Sequence, residues 1–187
     1  MVRFVVLVLG MMVSGMALAH PGPHPDGAFA TGFWHPFSGI DHLLAMICVG
    51  LWAAQLGGRF RLMVPAAFVI SMGLGTAMGA AGIPLGSVES GIALSVLMLG
   101  ALVALSVRVA WYWAMALVSA FAVFHGHAHG SEIPFVDLPA AYFTGLLTAT
   151  MVLHCVGVIS GVALRQRDLI RAIGAAIGLA GLCLFFA

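Results

Sequence analysis

The stretch Leu164-Arg165-Gln166-Arg167-Asp168-Leu169-Ile170-Arg171 separates two long hydrophobic runs and carries three of the chain's seven basic residues. Other gaps between hydrophobic runs repeat this pattern in alternation. The basic gaps also include Arg59 with Arg61, and Arg108, whereas the gaps between them hold only the acids Glu89, Glu132 and Asp137. Because basic residues are retained on the cytoplasmic side of a membrane, the alternation predicts that consecutive gaps lie on opposite faces.

Composition places the chain among polytopic membrane proteins. Of its 187 residues, 63% are hydrophobic and 7% are charged, and all seven basic residues are arginine. A soluble domain carries roughly a quarter of charged residues, so that class is excluded. The chain has no basic patch, which excludes a nucleic-acid partner. Function must therefore be sought within or beside the membrane.

The first segment is typical of a cleavable signal peptide. Residues 1–19 contain Arg3, a short apolar run and the small-residue ending Ala17-Leu18-Ala19. The apolar run is too short to cross a bilayer, which takes about 20 residues. We expect residues 20–35 to form an exported arm that begins at His20, and residues 36–187 to form the membrane domain.

The remaining hydrophobic runs predict an all-α membrane domain of six antiparallel transmembrane helices. The predicted spans cover residues 36–56, 62–81, 88–107, 109–130, 138–164 and 169–187. The gaps are so short that consecutive helices must be neighbours. With the arm outside, both ends of the mature chain are expected on the exported side. Glu89 and Glu132 would also lie there.

The first predicted span opens with His35-Pro36-Phe37-Ser38-Gly39-Ile40-Asp41-His42. Pro36 suits a first helical turn, which would place His35 near the helix start. His35 and His42 would then lie about 10 Å apart along the axis, too far for one ion to contact both unless the helix start is unwound. An ionisable residue such as Asp41 inside a span is costly and indicates function.

The fourth predicted span ends with Phe124-His125-Gly126-His127-Ala128-His129-Gly130-Ser131-Glu132. In a helix, His125, His129 and Glu132 share one stripe, whereas His127 points the other way. Two imidazoles four residues apart commonly reach one divalent ion. The alternative is a solvated helix end whose histidines titrate with pH.

Depth connects the two blocks, because His42 and His125 each lie about 9 Å below the exported face. Glu89 starts its helix on that face, as a ligand or as a partner of the helix dipole. Imidazoles and carboxylates from separate helices suit a divalent transition-metal ion. His154 lies deeper, beside Cys155, either as a second metal station or as a buried histidine bonded to a backbone carbonyl. On the exported arm, His20 is a candidate for collecting the ion.

The two histidine blocks, together with a leader ending in Ala19-His20-Pro21, resemble the HupE/UreJ family across essentially the whole mature chain. The resemblance implies a small bacterial inner-membrane permease, mainly for nickel, that serves hydrogenase or urease maturation. The first block is also similar to the signature of the wider nickel/cobalt permeases, although its spacing is longer by one residue. The family's metal-pathway roles carry over to His35, Asp41, His42, Glu89, His129 and Glu132.

We therefore predict a secondary transporter of Ni²⁺ or Co²⁺, which is not an enzyme and retains no cofactor. The chain has no Gly-rich phosphate-binding loop, so it contains no built-in ATPase. Its partners would be the transported divalent ion and the lipid bilayer, and its oligomeric state is left open. Two alternatives remain: a membrane enzyme or electron carrier that retains a metal or haem, and a metal-sensing or assembly subunit that does not transport.

Overall fold

The computed structural model describes residues 27–132, 138–164 and 166–187, and this part of the chain contains seven α-helices and no β-strand. The all-α prediction is therefore confirmed. The predicted signal peptide and His20 lie outside the described residues. The helices are α1 Gly27–Ser38, α2 Ile40–Leu56, α3 Phe60–Ala80, α4 Val88–Ala104, α5 Trp111–Glu132, α6 Pro139–Ala163 and α7 Arg167–Phe186.

Helices α2 to α7 coincide, within a few residues at each end, with the six hydrophobic runs. Helix α1 was not predicted, because residues 27–35 were assigned to the exported arm. Three helices, α3, α6 and α7, are long and apolar enough to cross a membrane. A bent pair formed by α1 and α2 would make a fourth span, and α4 is apolar but has only 17 residues. Length and apolarity alone thus support three or four spans among the described residues.

A sharp break at Gly39 separates α1 from α2, and the two helix axes differ in direction by 84°. Pro36 lies in the last turn of α1, so the prediction that it occupies the first turn of α2 is wrong. The hydroxyl of Ser38 donates to the carbonyl of His35 at 2.6 Å, within that last turn of α1. Gly39 is extended, with φ −97° and ψ 113°, and its carbonyl accepts the first hydrogen bond of α2.

The absence of a side chain at Gly39 has a further consequence for the start of α2. A Cβ atom there would lie 2.9 Å from Oδ1 of Asp41 and 3.2 Å from Nδ1 of His42. Both distances are shorter than ordinary van der Waals contact. Glycine therefore allows the side chains of Asp41 and His42 to fold back over the break.

Hydrogen bonds between helix ends define the relative directions of α2, α4 and α7. The Trp52 indole and the Gln55 amide of α2 donate to the carbonyls of Val107 and Val103, each at 3.0 Å. The Arg171 guanidinium, at the start of α7, donates to the Ala104 carbonyl at 2.9 Å. The ends of α2 and α4 thus meet the start of α7, as alternating directions require.

Small residues hold α3 and α5 close together. The backbone of α5 at Val123 and His127 fills the space that side chains would need at Gly75 and Gly79 of α3. Glycine pairs four residues apart predict such close approach of helix backbones. The crossing fixes α5, which carries His125 and His129, against α3.

Candidate metal site

Asp41 and His42 form a hydrogen-bonded pair at the start of α2. The Nδ1 atom of His42 lies 2.7 Å from Oδ1 of Asp41, and the backbone N–H of His42 donates to the same oxygen at 2.7 Å. A carboxylate only accepts hydrogen bonds, so Nδ1 carries the imidazole proton and Nε2 carries the lone pair. Nε2 is buried and has no hydrogen-bond partner among the described residues. Asp41 thus orients His42 in the same way that a carboxylate hydrogen-bonded to the far nitrogen of a metal-binding histidine orients that ring.

His125 lies opposite His42 and is completely buried in α5. Its Nε2 atom is 2.9 Å from the hydroxyl oxygen of Ser95 on α4. Its Nδ1 atom is buried and, within the described part of the chain, has no hydrogen-bond partner. Nε2 is therefore hydrogen-bonded within the protein, and Nδ1 is available to a ligand.

Four histidines from three helices lie together, and we call His35, His42, His125 and His129 the histidine cluster. The ring centre of His129 is 4.8 Å from that of His35 and 4.6 Å from that of His42. The ring centres of His42 and His125 are 4.8 Å apart. His129 is 1% exposed, and neither of its nitrogens is hydrogen-bonded to another described residue. The bend at Gly39 brings His35 and His42 to the same neighbour, which a continuous helix would prevent.

The spacing of these rings suits a common ion. Two imidazoles bound to one ion at right angles have ring centres about 4.5 Å apart, and at the tetrahedral angle about 5.2 Å, given metal–nitrogen bonds of about 2.1 Å. In the present conformation, however, no three His, Cys, Asp or Glu side chains of the described residues form a group that could hold a metal ion. The rings would have to turn to bring their lone pairs to one point.

Glu89 does not join the cluster. It is exposed at the start of α4, where it lines a cavity of about 230 Å³ together with Asp41. Ser90 and Ala93 of α4 and the end of α7 complete the cavity wall. Glu89 and Asp41 therefore line the same cavity, although Glu89 lies outside the histidine cluster.

Of the predicted stripe of His125, His129 and Glu132, only the two histidines have side chains that the structure describes. His125 and His129 share the buried face of α5, as their spacing predicts. Glu132 is the last residue of the helix, and its side chain lies outside the described structure, so its metal role stays a prediction. His127 faces away from the cluster and donates from Nε2 to the carbonyl of Ile83 at 2.7 Å, which confirms its predicted orientation.

His154 is buried on α6 and is separated from the cluster by an aromatic ring. Phe68 of α3 contacts both histidines, with ring centres 5.7 Å from His125 and 5.0 Å from His154. Neither nitrogen of His154 has a hydrogen-bond partner in the part of the chain that is described. The alternative that it bonds to a backbone carbonyl is therefore not found there. Cys155 and Met151 are exposed, so they do not share its buried surroundings.

Comparison with known proteins identifies relatives of the chain. A family model described as "HupE / UreJ protein" matches residues 6–184 of the chain. "Protein HupE" of Rhizobium leguminosarum bv. viciae is 42% identical over 187 residues, covering 97% of this chain and 96% of that protein. No solved structure matches.

The chain belongs to the HupE/UreJ family. The resemblance drawn from the two histidine blocks and the leader is confirmed, and it extends through nearly the whole chain. In this HupE/UreJ protein the two blocks meet in space: the first supplies His35 and His42, and the second supplies His125 and His129. The family match itself assigns no ligand to any of these residues.

Two contacts of the site were missed by sequence reasoning. Ser95 lies in an apolar helix, where its only signal is that of a single polar residue within a hydrophobic run. Phe68 gave no signal, because aromatic residues are ordinary in hydrophobic segments. Their importance lies in which ring they touch, and that depends on how α3 and α4 pack against α5.

Proposed function

We propose that this HupE/UreJ protein is a secondary permease that carries a divalent transition-metal ion, Ni²⁺ or Co²⁺, into a bacterial cell for metalloenzyme maturation. The observation that carries the proposal is the histidine cluster, whose buried imidazole nitrogens include several without a hydrogen-bond partner among the described residues. Such nitrogens are costly to bury unless something binds them at some stage of function. A passing cation satisfies that requirement. Nickel is the ion that membership of the family implies.

The proposed route begins at the cavity lined by Glu89 and Asp41. Carboxylates at its mouth attract a hydrated cation, which then exchanges water for imidazole nitrogens of the histidine cluster. From there the ion passes the ring of Phe68 and reaches His154 in the deeper half of the bundle. Each step moves it between adjacent side chains on different helices.

Release requires that binding be moderate. A pathway conducts only when its sites are favourable enough to enter and weak enough to leave. The cluster does not present a finished coordination shell, so part of the binding energy must be used to rotate the rings. This cost lowers affinity and favours transit over retention.

The same spacing argues against a haem-retaining enzyme or electron carrier. Two imidazoles that bound one haem iron from opposite sides would have ring centres about 6.4 Å apart, given metal–nitrogen bonds of about 2.1 Å. The closest rings of the cluster are 4.6 to 4.8 Å apart. A porphyrin plane does not fit between rings at that separation. We therefore propose that the cluster does not hold haem. A permease of this kind would not be an enzyme and would keep no cofactor.

We further propose that α2 to α7 cross the bacterial inner membrane in alternating directions, after removal of a signal peptide formed by residues 1–19. The arginine-bearing gaps then face the cytoplasm, and the cavity at Glu89 faces the periplasm. Both ends of the mature chain are periplasmic in this arrangement. Helix α1 lies at the periplasmic side, where the bend at Gly39 brings His35 into the cluster.

The decisive experiment measures radioactive nickel accumulation in a bacterium that lacks its own nickel transport, with cobalt as competitor. His42→Ala removes one cluster imidazole, and Asp41→Asn replaces the carboxylate that orients it with a neutral amide. We expect both variants to reduce accumulation to the level of cells without the protein.

The matched control is His127→Gln, which changes a histidine of the same block that faces away from the cluster and keeps a donor for the Ile83 carbonyl. It should retain most of the uptake. The amount of protein in the membrane is measured for all variants. Full uptake by His42→Ala and Asp41→Asn at equal protein would reject the proposed pathway.

A further inference from the structure

Ser95 is the buried polar residue of α4 that touches the histidine cluster. It is 0% exposed and lies within the hydrophobic run of α4 that follows Glu89 and Ser90 in the first turn. Its hydroxyl oxygen has two close contacts, the Ile92 carbonyl at 2.6 Å and Nε2 of His125 at 2.9 Å. The position of its single hydroxyl proton therefore decides which ring nitrogen of a neutral His125 carries the proton.

The carbonyl contact fixes that proton. A carbonyl oxygen can only accept a hydrogen bond, and two oxygen atoms 2.6 Å apart require a proton between them. Ser95 thus donates to Ile92, and its oxygen is left as an acceptor toward His125. The partner nitrogen must then be the donor, so Nε2 of His125 carries the proton.

A neutral imidazole has one N–H group and one nitrogen with a free lone pair. With the proton on Nε2, the lone pair of His125 lies on Nδ1. This is the buried nitrogen that has no hydrogen-bond partner among the described residues. His42 is held in the other tautomer, because Asp41 keeps its proton on Nδ1 and leaves the lone pair on Nε2.

We propose that Ser95 is a positioning residue that holds His125 in the Nε2–H tautomer and directs Nδ1 to the transported ion. The inference rests on the proposed function and adds a residue and a specific ligand atom to it. Ser95 and Asp41 would then act alike: each fixes the proton of one cluster histidine from outside the cluster. Loss of such an orienting partner typically costs 10- to 100-fold in metal affinity.

A double-mutant cycle on the purified full chain tests this proposal. Nickel affinity is measured by titration with Ni²⁺ for the natural sequence, Ser95→Ala, His125→Ala and the double variant. If Ser95 acts through His125, Ser95→Ala weakens binding roughly tenfold in the natural background and has no further effect when His125 is already alanine. The control is Ser119→Ala, a partly buried serine on α5, which should leave affinity unchanged.

A second measurement reads the tautomer without any metal. Nitrogen NMR of the histidine-labelled protein should show His125 protonated at Nε2 in the natural sequence, and a changed or averaged signal in Ser95→Ala. Two results would overturn the proposal: His125 protonated at Nδ1 in the natural sequence, or an equal loss of affinity from Ser95→Ala in both backgrounds.

These outcomes separate the two proposals. A protein that shows the expected tautomer and the expected cycle but accumulates no nickel in cells refutes the transport function alone. A protein that transports nickel through His42, yet shows additive losses for Ser95 and His125, refutes the positioning role alone.

Discussion

At the scale of single residues, His154 is a buried polar side chain that is costly to the stability of the fold. The side chain is 1% exposed, and both ring nitrogens lack a hydrogen-bond partner among the described residues. An unsatisfied buried donor or acceptor costs about 1–3 kcal/mol. A residue selected for packing alone would be apolar at this position.

We predict that His154→Leu stabilises the protein and slows transport. Leucine removes both unsatisfied nitrogens at similar volume, so thermal unfolding in detergent should shift upward, corresponding to a gain of about 1–3 kcal/mol. Loss of His154 as the second metal station should lower nickel uptake roughly tenfold, which corresponds to a barrier about 1.4 kcal/mol higher. Nickel binding to the purified protein should hardly change, because the histidine cluster on the other side of Phe68 is intact.

The control for this prediction is Cys155→Ser, the neighbouring residue on α6, which is exposed and does not face the interior. It should alter neither stability nor uptake. If His154→Leu is less stable and transports normally, His154 is a packing residue with a partner of its own, and its proposed role as a second metal station is wrong.

Single residues also mark where sequence reasoning reaches its limit in the site. The two histidine blocks could be recognised because imidazoles and a carboxylate are rare in hydrophobic segments, and their shared depth follows from helix geometry. The role of Asp41 could not be read in this way. Whether a carboxylate binds an ion or orients a histidine depends on side-chain rotation, and here its oxygen lies 2.7 Å from Nδ1 of His42.

At the scale of helices, hydrophobic runs predicted α2 to α7 because each run is bounded by charges, glycine or proline. Helix α1 escaped prediction because its own sequence, with Gly27, Gly32 and Pro36, disfavours a helix. Its stability comes from packing against α6, where the Tyr142 carbonyl covers Gly32 and the Phe29 carbonyl covers Gly145. Short helices in general depend on such tertiary contacts. The bend at Gly39, which directly follows α1, was not predicted either.

Helix packing also controls the site, and the crossing of α3 and α5 provides a test. We predict that Gly75→Ala destabilises the protein by about 1–3 kcal/mol, the usual cost of overpacking. Its new methyl group would collide with the backbone carbonyl of Val123, which cannot move without shifting α5. Because α5 carries His125 and His129, nickel affinity should fall as well. Thermal unfolding and nickel titration measure the two effects.

Gly73→Ala is the matched control on the same helix. A Cβ atom at Gly73 meets only the Phe143 ring, at 3.9 Å, which is an ordinary contact. That variant should keep its nickel affinity and its stability, within the small gain expected when alanine replaces glycine in a helix. Equal effects of the two substitutions would show that the crossing does not position the histidines.

At the scale of the whole molecule, charge and geometry agree on two distinct ends of the bundle. One end gathers the ends of α2 and α4 with the start of α7, where Arg171 bonds to the Ala104 carbonyl. The other end holds the cavity with Asp41 and Glu89. Arginine is retained in the cytoplasm, so the cavity should open to the periplasm. The proposed function in uptake requires the collecting site to lie on that face.

This orientation predicts which engineered cysteines react from outside. In a chain with Cys155 and Cys183 changed to alanine and the buried Cys48 kept, Gly86→Cys lies beside the cavity helix in the α3–α4 loop, and Arg59→Cys lies in the α2–α3 loop. A membrane-impermeant maleimide applied to intact spheroplasts should label the first and leave the second unlabelled until the membrane is permeabilised. The opposite pattern would place the carboxylate cavity in the cytoplasm. Glu89 and Asp41 would then lie at the exit for an imported ion, and the direction of transport proposed here would be wrong.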